Sequence, residues 1–391
     1  EYEEGKQQFI EEAHYTERGW TVDNLWHIFT DFYGGQYAPL AFLSYLVLYA
    51  GFGYDPFYFH MFSLLLHIGC VCLVWKLISS LLRVHGGVSE KQILYVNFIT
   101  TLLFAVHPIN VEAVAWISAL KVLLYAFFYL LGLLCYLRYI RTSKIFYYVL
   151  TIGCFLCSFW GKEQAVTFPL ALLIVDWFTN RNMKNLEVWS EKMSFLIMAF
   201  FFGIITVLSQ GKGPYEMIFP LYQRLLFGCF ALVEYITKSL LPVNLNFFYP
   251  FPIVLGEEPP LHYYLYPVVL LFLMGWIIAY RNNRYLVFGV LLFLVNLLFS
   301  IHLFNMSRHA IVADRYMYLS YVGIAFLIAN GIWWLRKRLS YFKAALVFLF
   351  FYCFFLSVYT FHYTKKWENT TMVKKYTKEV LEKRLNGSNH L

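Results

Sequence analysis

The sequence predicts an all-α protein, a polytopic transmembrane helical bundle, and three observations carry that prediction. Sixty per cent of its 391 residues are apolar and only 14% are charged, whereas an ordinary soluble domain is about one quarter charged. The apolar residues gather in ten runs of about 14 to 26 residues, close to the roughly 20 that cross a bilayer core. Between the runs, basic residues return in every second loop, the alternation expected when Lys and Arg stay on the cytoplasmic side. Aromatic residues reach 21%, with 40 Phe and 32 Tyr, which suits a surface that faces lipid and anchors at its interfaces.

In chain order the predicted spans are 57–82, 93–107, 120–139, 145–160, 165–178, 193–210, 263–280, 285–302, 316–335 and 343–362. The basic loops hold Lys76, Arg83 and Lys91; Arg138, Arg141 and Lys144; and Arg181, Lys184 and Lys192. Arg281 and Arg284 follow, then Arg336, Lys337, Arg338 and Lys343. Each group lies two spans from the next. That parity constrains 220–241, which is apolar enough to resemble another span. Counting it would move Arg281 and Arg284 outside, and it carries Arg224, Glu234 and Lys238, charges that are costly within lipid. It is therefore predicted to be a re-entrant or interfacial helix within a long outer loop, 211–262, whose later part is broken by prolines.

The first outer loop covers 1–56, and the membrane domain as a whole covers 1–362. The chain opens on a polar stretch without a signal peptide, and a first span is expected to precede it, for eleven in all. The tail 363–391 holds seven basic and three acidic residues. Val373, Tyr376, Val380 and Leu381 recur there at helical spacing, so a helix is expected from about Thr370 to Leu385. The seven cysteines are scattered, and Cys154 and Cys157, one helical turn apart in a span, read as packing. His60 and His67 share one helix face and suit an interhelical hydrogen bond better than a metal.

Polar groups avoid the middles of the spans and collect at their outer ends. They are His107-Pro108-Ile109-Asn110-Val111-Glu112, then Gly161-Lys162-Glu163-Gln164, Ser307-Arg308-His309 and Ala313-Asp314-Arg315-Tyr316, with the acidic start at Glu3 and Glu4. A pump or channel strings charge through the bilayer. Chemistry on a lipid headgroup needs it at one interface. Each group also has a plainer reading: Asp314 as a helix cap, Lys162 and Glu163 as exposed turn charge, and His107-Pro108 as a helix start.

The resemblance rests on motifs in a fixed order. They are 37–40 (Tyr-Ala-Pro-Leu), Phe59-His60 through His67, 107–116, 161–165 with Pro169 and Asp176, 241–245 with Tyr249-Pro250, 313–319 with Gly323, and 367–369. From about 1 to 370 the chain resembles the GT-C glycosyltransferases. Within them it is most similar to the membrane domain of the transmembrane and tetratricopeptide-repeat O-mannosyltransferase family and its bacterial relatives. The resemblance implies a membrane glycosyltransferase that moves a mannose-like sugar from a polyprenyl-phosphate carrier to an acceptor hydroxyl, with inversion, on the outer face. It implies a base in the first outer loop, matched here by Glu3 and Glu4 where relatives usually carry two Asp. Arg315 and Lys162 are expected to converge on the donor phosphate, and His107, Glu112, Glu163, Asp314 and Tyr316 to orient these groups or bind sugar. At 120–122 the chain has Leu-Lys-Val where relatives often have Arg-Lys-Asp, and the tail 363–391 is expected to be a basic helix without tetratricopeptide repeats.

No cofactor, metal or nucleic acid is called for on this reading. The expected partners are the lipid-linked sugar donor, a protein or glycan acceptor, membrane lipids and subunits of a membrane complex. The expected setting is a bacterial inner membrane with the active face periplasmic, the endoplasmic reticulum membrane being the other choice. Two other readings stay open: a non-catalytic relative acting as a structural or lipid-binding subunit, and a transporter. The topology map has its own test. Cysteines placed at 221 and 242 are expected to label from the outer side only, and labelling of 242 solely from the cytoplasm would sink it.

Overall fold

In the computed structural model, residues 16, 18–32, 36–210, 219–302, 310–369 and 371–379 are described. In chain order the helices are α1 (Val22–Thr30), α2 (Pro39–Phe52), α3 (Pro56–His85), α4 (Glu90–Val106), α5 (Val111–Ala115), α6 (Leu120–Thr142), α7 (Ile145–Gly161) and α8 (Phe168–Phe178). They continue with α9 (Leu186–Gln210), α10 (Leu221–Leu240), α11 (Leu265–Ala279), α12 (Arg284–Leu297), α13 (Met317–Trp334) and α14 (Leu339–Thr364), and a short tail helix, α15, covers 371–379. Among the described residues, an isolated antiparallel bridge joins Tyr249 to Val312. The protein is an all-α polytopic membrane bundle.

Among the described residues, six helices are long and apolar enough to cross a bilayer: Pro56–His85, Ile117–Thr142, Leu186–Ser209, Leu261–Ala279, Asp314–Lys337 and Leu339–Trp367. A seventh arises if Glu90–Val106 and Pro108–Ala115, bent by 51° at their junction, count as one. The other three of the ten predicted spans are shorter helices. Every predicted run is helical, but some helices stop short. Ile145–Gly161 has 17 residues, Arg284–Leu297 has 14 and Phe168–Phe178 has 11, so at 1.5 Å per residue they reach about 16 to 26 Å. The run 165–178 is shortened because Glu163–Thr167 winds as a 3-10 turn before α8. The first outer loop is also more ordered than its loop label implies. α1 is capped by the Thr21 side chain accepting from Asn24 N–H. α2 starts at Pro39, a residue suited to the first helical position.

The chain divides into two compact units, one of 1–77 and 117–216, the other of 78–116 and 217–391. In the first, α6 and α7 pack along their lengths and α2 lies against both. Ile28, Phe42, Tyr45 and Leu46 form a core there with Phe59, Leu120 and Leu124. The α6–α7 contact depends on Gly161, where a Cβ would sit 2.7 Å from the Tyr125 main-chain nitrogen.

In the second unit α13 packs between α4 and α12, and α10 lies on α11. α12 and α13 meet at Gly289 and Gly323. α15 docks by Val373 and Tyr376 on a cluster of Val111, Leu245, Tyr363 and Trp367, which places the expected tail helix over 371–379; Thr370, Val380 and Leu381 lie outside the described residues. α10 is a single 20-residue helix that contains Arg224, Glu234 and Lys238.

The glycine crossing generates a stability prediction. A Cβ at Gly323 would stand 2.5 Å from the Gly289 carbonyl oxygen and 2.7 Å from the Phe293 nitrogen, both main-chain atoms, while one at Gly331 would meet nothing within 4 Å. Gly323→Ala is expected to cost about 1–3 kcal/mol through overpacking. Gly331→Ala, on the same helix, is expected to be neutral or stabilising by up to about 1 kcal/mol. Thermal unfolding in detergent measures both, and equal behaviour of the two variants would refute the close crossing.

Candidate functional site

The site is assembled in the second unit from two sequence-distant turns. α4 ends at His107, since Pro108 cannot continue its hydrogen-bond ladder. The chain passes through a 3-10 turn, Pro108–Asn110, into α5. His107 closes the corner by accepting the Ile109 N–H on Nδ1 at 3.2 Å. Glu112 sits in the first turn of α5 and is fully buried. The other turn is the 3-10 segment Asp314–Tyr316, which opens α13. It is held against 245–249 by the bridge of Val312 to Tyr249 and by the Ile311 N–H donating to the Tyr249 carbonyl at 2.9 Å.

Glu112 and Arg315, 203 positions apart, make a two-point contact. The Arg315 main-chain N–H donates to Oε2 at 2.7 Å, and Nη1 donates to Oε1 at 2.5 Å. The guanidinium lies over the rings of Trp116 and Tyr316, at 5.2 and 5.1 Å from their centroids. Twenty per cent of the Arg315 side chain stays exposed. Among the described residues, Nη1 is its one guanidinium nitrogen with a hydrogen-bond partner, and Nε and Nη2 have none. A carboxylate therefore fixes the side chain by one corner and leaves the fork's other edge for a further acceptor.

Asp314, also fully buried, points the other way. Tyr249 O–H lies 3.0 Å from both of its oxygens and donates to the carboxylate, and Lys238 Nζ is 3.4 Å from Oδ1. Lys238 also donates to the Tyr249 hydroxyl and has Glu234 at 3.8 Å. The Tyr249 hydroxyl in turn accepts the Asn246 N–H at 2.6 Å. Burial, with Asp314 beside it, pushes the Tyr249 phenol well above its ordinary range, so it stays a proton donor. The cap reading of Asp314 is corrected: no side chain caps this turn, and the Asp314 carboxylate is spent on Lys238 and Tyr249.

The structure brings Glu112, Asp314, Arg315 and Tyr316 together. His107 lies in the same turn with its ring 4.2 Å from that of Tyr321, but it makes no bond to the Glu112–Arg315 pair. Lys162 and Glu163 belong to the first unit. Lys162 ends α7 in extended conformation, is buried and is engaged with partners, which corrects its reading as exposed turn charge. Glu163 opens the following 3-10 turn and is half-buried. Glu3 and Glu4, with Ser307, Arg308 and His309, lie outside the described residues. Among those described, no group of three His, Cys, Asp or Glu is placed to hold a metal.

Sequence reasoning missed Lys238 and Tyr249 as site residues. Their signals were present: a lysine inside a largely apolar helix demands an anion nearby, and Tyr249 stood within a quoted motif. It also expected a phosphate to supply the partner charge of Arg315, whereas Glu112 already does so.

The Lys238–Asp314 pair yields a test. Lys238→Met should strand the Asp314 carboxylate and cost about 3–5 kcal/mol. Adding Asp314→Asn, which keeps an acceptor for Tyr249, should recover most of that loss. Unfolding midpoints of the two singles and the double measure the coupling, and simple additivity would show that the pair does not interact.

No family model matches the chain, and no solved structure matches it. Characterised relatives do. Over 203 residues the chain is 30% identical to protein O-mannosyl-transferase tmtc2 of Xenopus laevis, covering 47% of this chain and 23% of that protein. It is 33% identical over 179 residues to human protein O-mannosyl-transferase TMTC2, covering 41% and 20%. It is 28% identical over 172 residues to protein O-mannosyl-transferase Tmtc3 of Drosophila melanogaster, covering 39% and 18%. The chain thus spans about a fifth of the length of the relatives it matches. Its homologues, across several animals, are the protein O-mannosyl-transferases of the TMTC group.

Proposed function

We propose that the chain is a membrane glycosyltransferase that moves mannose, or a closely similar sugar, from a polyprenyl-phosphate carrier to an acceptor hydroxyl on the outer face of its membrane. One observation supports this reading above the others. Arg315 is pinned by a buried carboxylate and flanked by two aromatic rings, and it still offers an unused guanidinium edge. A guanidinium so prepared suits an anionic phosphate ester, because its geometry is set before the ligand arrives and its surroundings screen it little.

In the reaction, a carboxylate takes the proton of the acceptor hydroxyl, the role the resemblance gives to Glu3 or Glu4. The hydroxyl oxygen bonds to the anomeric carbon, and the bond from that carbon to the phosphate oxygen breaks. The phosphate leaves with the electron pair, and inversion follows from attack on the face opposite to it. Arg315 holds the leaving charge, Glu112 holds Arg315, and Asp314 with Lys238 and Tyr249 fixes the turn that carries them. Lys162 keeps its expected role as a second phosphate-binding cation, and an acceptor on a protein agrees with the names of the homologues.

Radiolabelled mannose transfer from a polyprenyl phosphate mannose in detergent tests the proposal. Arg315→Ala is expected to lower kcat about 10²–10³-fold, the usual effect of removing one charge-stabilising donor. Gln at 3 and 4 together should lower it about 10²–10⁴-fold, the range for a general base. Lys162→Ala, assayed in the same way, tests the second cation separately. Full turnover by folded Arg315→Ala protein would refute the assignment. Binding of the donor by the wild-type chain without transfer would favour the lipid-binding, non-catalytic reading instead.

A further inference from the structure

A second ionic network lies in the first unit and uses none of the residues assigned above. The last turns of α6 supply Tyr136 and Tyr139, α8 supplies Asp176, the turn after it Arg181, and α9 Glu191 and Lys192. Asp176 and Lys192 are fully buried and 2.5 Å apart. Tyr136 O–H donates to Asp176 at 2.7 Å, and Lys192 donates to Tyr136 and lies 3.0 Å from Glu191. Arg181 reaches Asp176 at 3.2 Å and grips Glu191 through Nη1 and Nη2 at 2.6 and 2.9 Å. Tyr148, in the first turn of α7, donates to the Glu191 carbonyl at 2.9 Å. These bonds put the α6–α7 turn and the α8–α9 turn side by side on one rim.

The network is closed: two carboxylates answer two cations. Nothing acidic in it is left for the rest of the rim. Arg138, Arg141, Lys144 and Lys184 are all exposed there. Arg138 lies over the Tyr147 ring at 5.8 Å, and among the described residues none of the four forms an ion pair. The nearby exposed acid, Glu187, accepts from the Asn185 side chain at 3.2 Å. Large apolar side chains stand beside the cations: Ile145 next to Lys144 at 69% exposure, Leu186 two residues after Lys184 at 82%, and Phe146 and Trp189 with them. Both turns also adjoin helices able to span a bilayer, Ile117–Thr142 and Leu186–Ser209.

From this juxtaposition we propose that the rim formed by the α6–α7 and α8–α9 turns binds anionic phospholipid headgroups. Four unpaired cations match headgroup charge. The adjoining Ile145, Phe146, Leu186 and Trp189 match the boundary between headgroup and acyl chain, where Trp and long basic side chains settle together. An acidic soluble protein would satisfy the charge but leave that apolar band in water. Clustered Lys and Arg beside a span are a known basis for selectivity toward anionic lipids.

The test uses the full chain in detergent, titrated with palmitoyl-oleoyl phosphatidylglycerol or phosphatidylcholine and read by native mass spectrometry. The wild type is expected to retain phosphatidylglycerol in preference to phosphatidylcholine. The combined variant Arg138→Gln, Arg141→Gln, Lys144→Gln, Lys184→Gln is expected to bind phosphatidylglycerol about tenfold or more weakly. Its phosphatidylcholine binding should be unchanged and its unfolding midpoint nearly so, because no ion pair between described residues is removed and only the exposed Arg138 contact with the Tyr147 ring is lost. Equal retention of the two lipids by the wild type, or undiminished phosphatidylglycerol binding by the folded variant, would overturn the proposal. Neither result depends on sugar transfer, so the site of Arg315 stands or falls separately.

Discussion

The bond between Glu112 and Arg315 is the constraint from which the second unit is best understood. An arginine set beside apolar helices is costly without a counter-charge, and the chain supplies that charge from a turn 203 positions earlier. Glu112 engages the main-chain nitrogen of Arg315 as well as its guanidinium, so it sets the start of α13 and the direction of its side chain together. Pro108 is what makes this available. By ending α4 and bending the chain, it turns Glu112 inward instead of continuing one helix past it.

Neighbouring residues divide the work. Asp314 and Arg315 are adjacent, yet one faces Lys238 and Tyr249 and the other faces Glu112, Trp116 and Tyr316. Asp314 has its bonds filled from inside the protein and acts on position. Arg315 keeps a vacant hydrogen-bonding edge and can act on a ligand. The same contrast recurs in the first unit, where the Asp176 network is closed upon itself and the exposed rim cations are not. Closed groups hold the fold, and open ones meet what lies outside it.

Much of this was legible in the sequence because lipid imposes simple rules. Apolar runs located every helix that resembles a span, and the avoidance of span middles by polar residues marked Glu112, Asp314 and Arg315 as a set worth tracing. What the sequence hid was length and partnership. The end of Arg284–Leu297 was hidden in this way: periodicity alone ran it on to 302, whereas the helix stops at Leu297. Pairing across 203 or 76 positions leaves no local trace, so the bond of Glu112 to Arg315 stayed hidden and Lys238 read as an obstacle to a span. The 14-residue α2 was also missed, its stretch falling within the expected first outer loop.

The backbone contact between Gly289 and Gly323 has a consequence for accuracy at the site. With no side chain between them, α12 and α13 have little room to roll or slide against one another, since a turn of one residue would drive bulk into the seam. Arg315 lies eight positions before Gly323, about 12 Å along the helix axis, so its heading is inherited from a contact made deeper in the bundle. α13 behaves as a shaft keyed at one depth and read out at another. Forces on the bundle that tilt both helices together would carry the arginine with them unchanged, and only those that separate the pair would alter its aim.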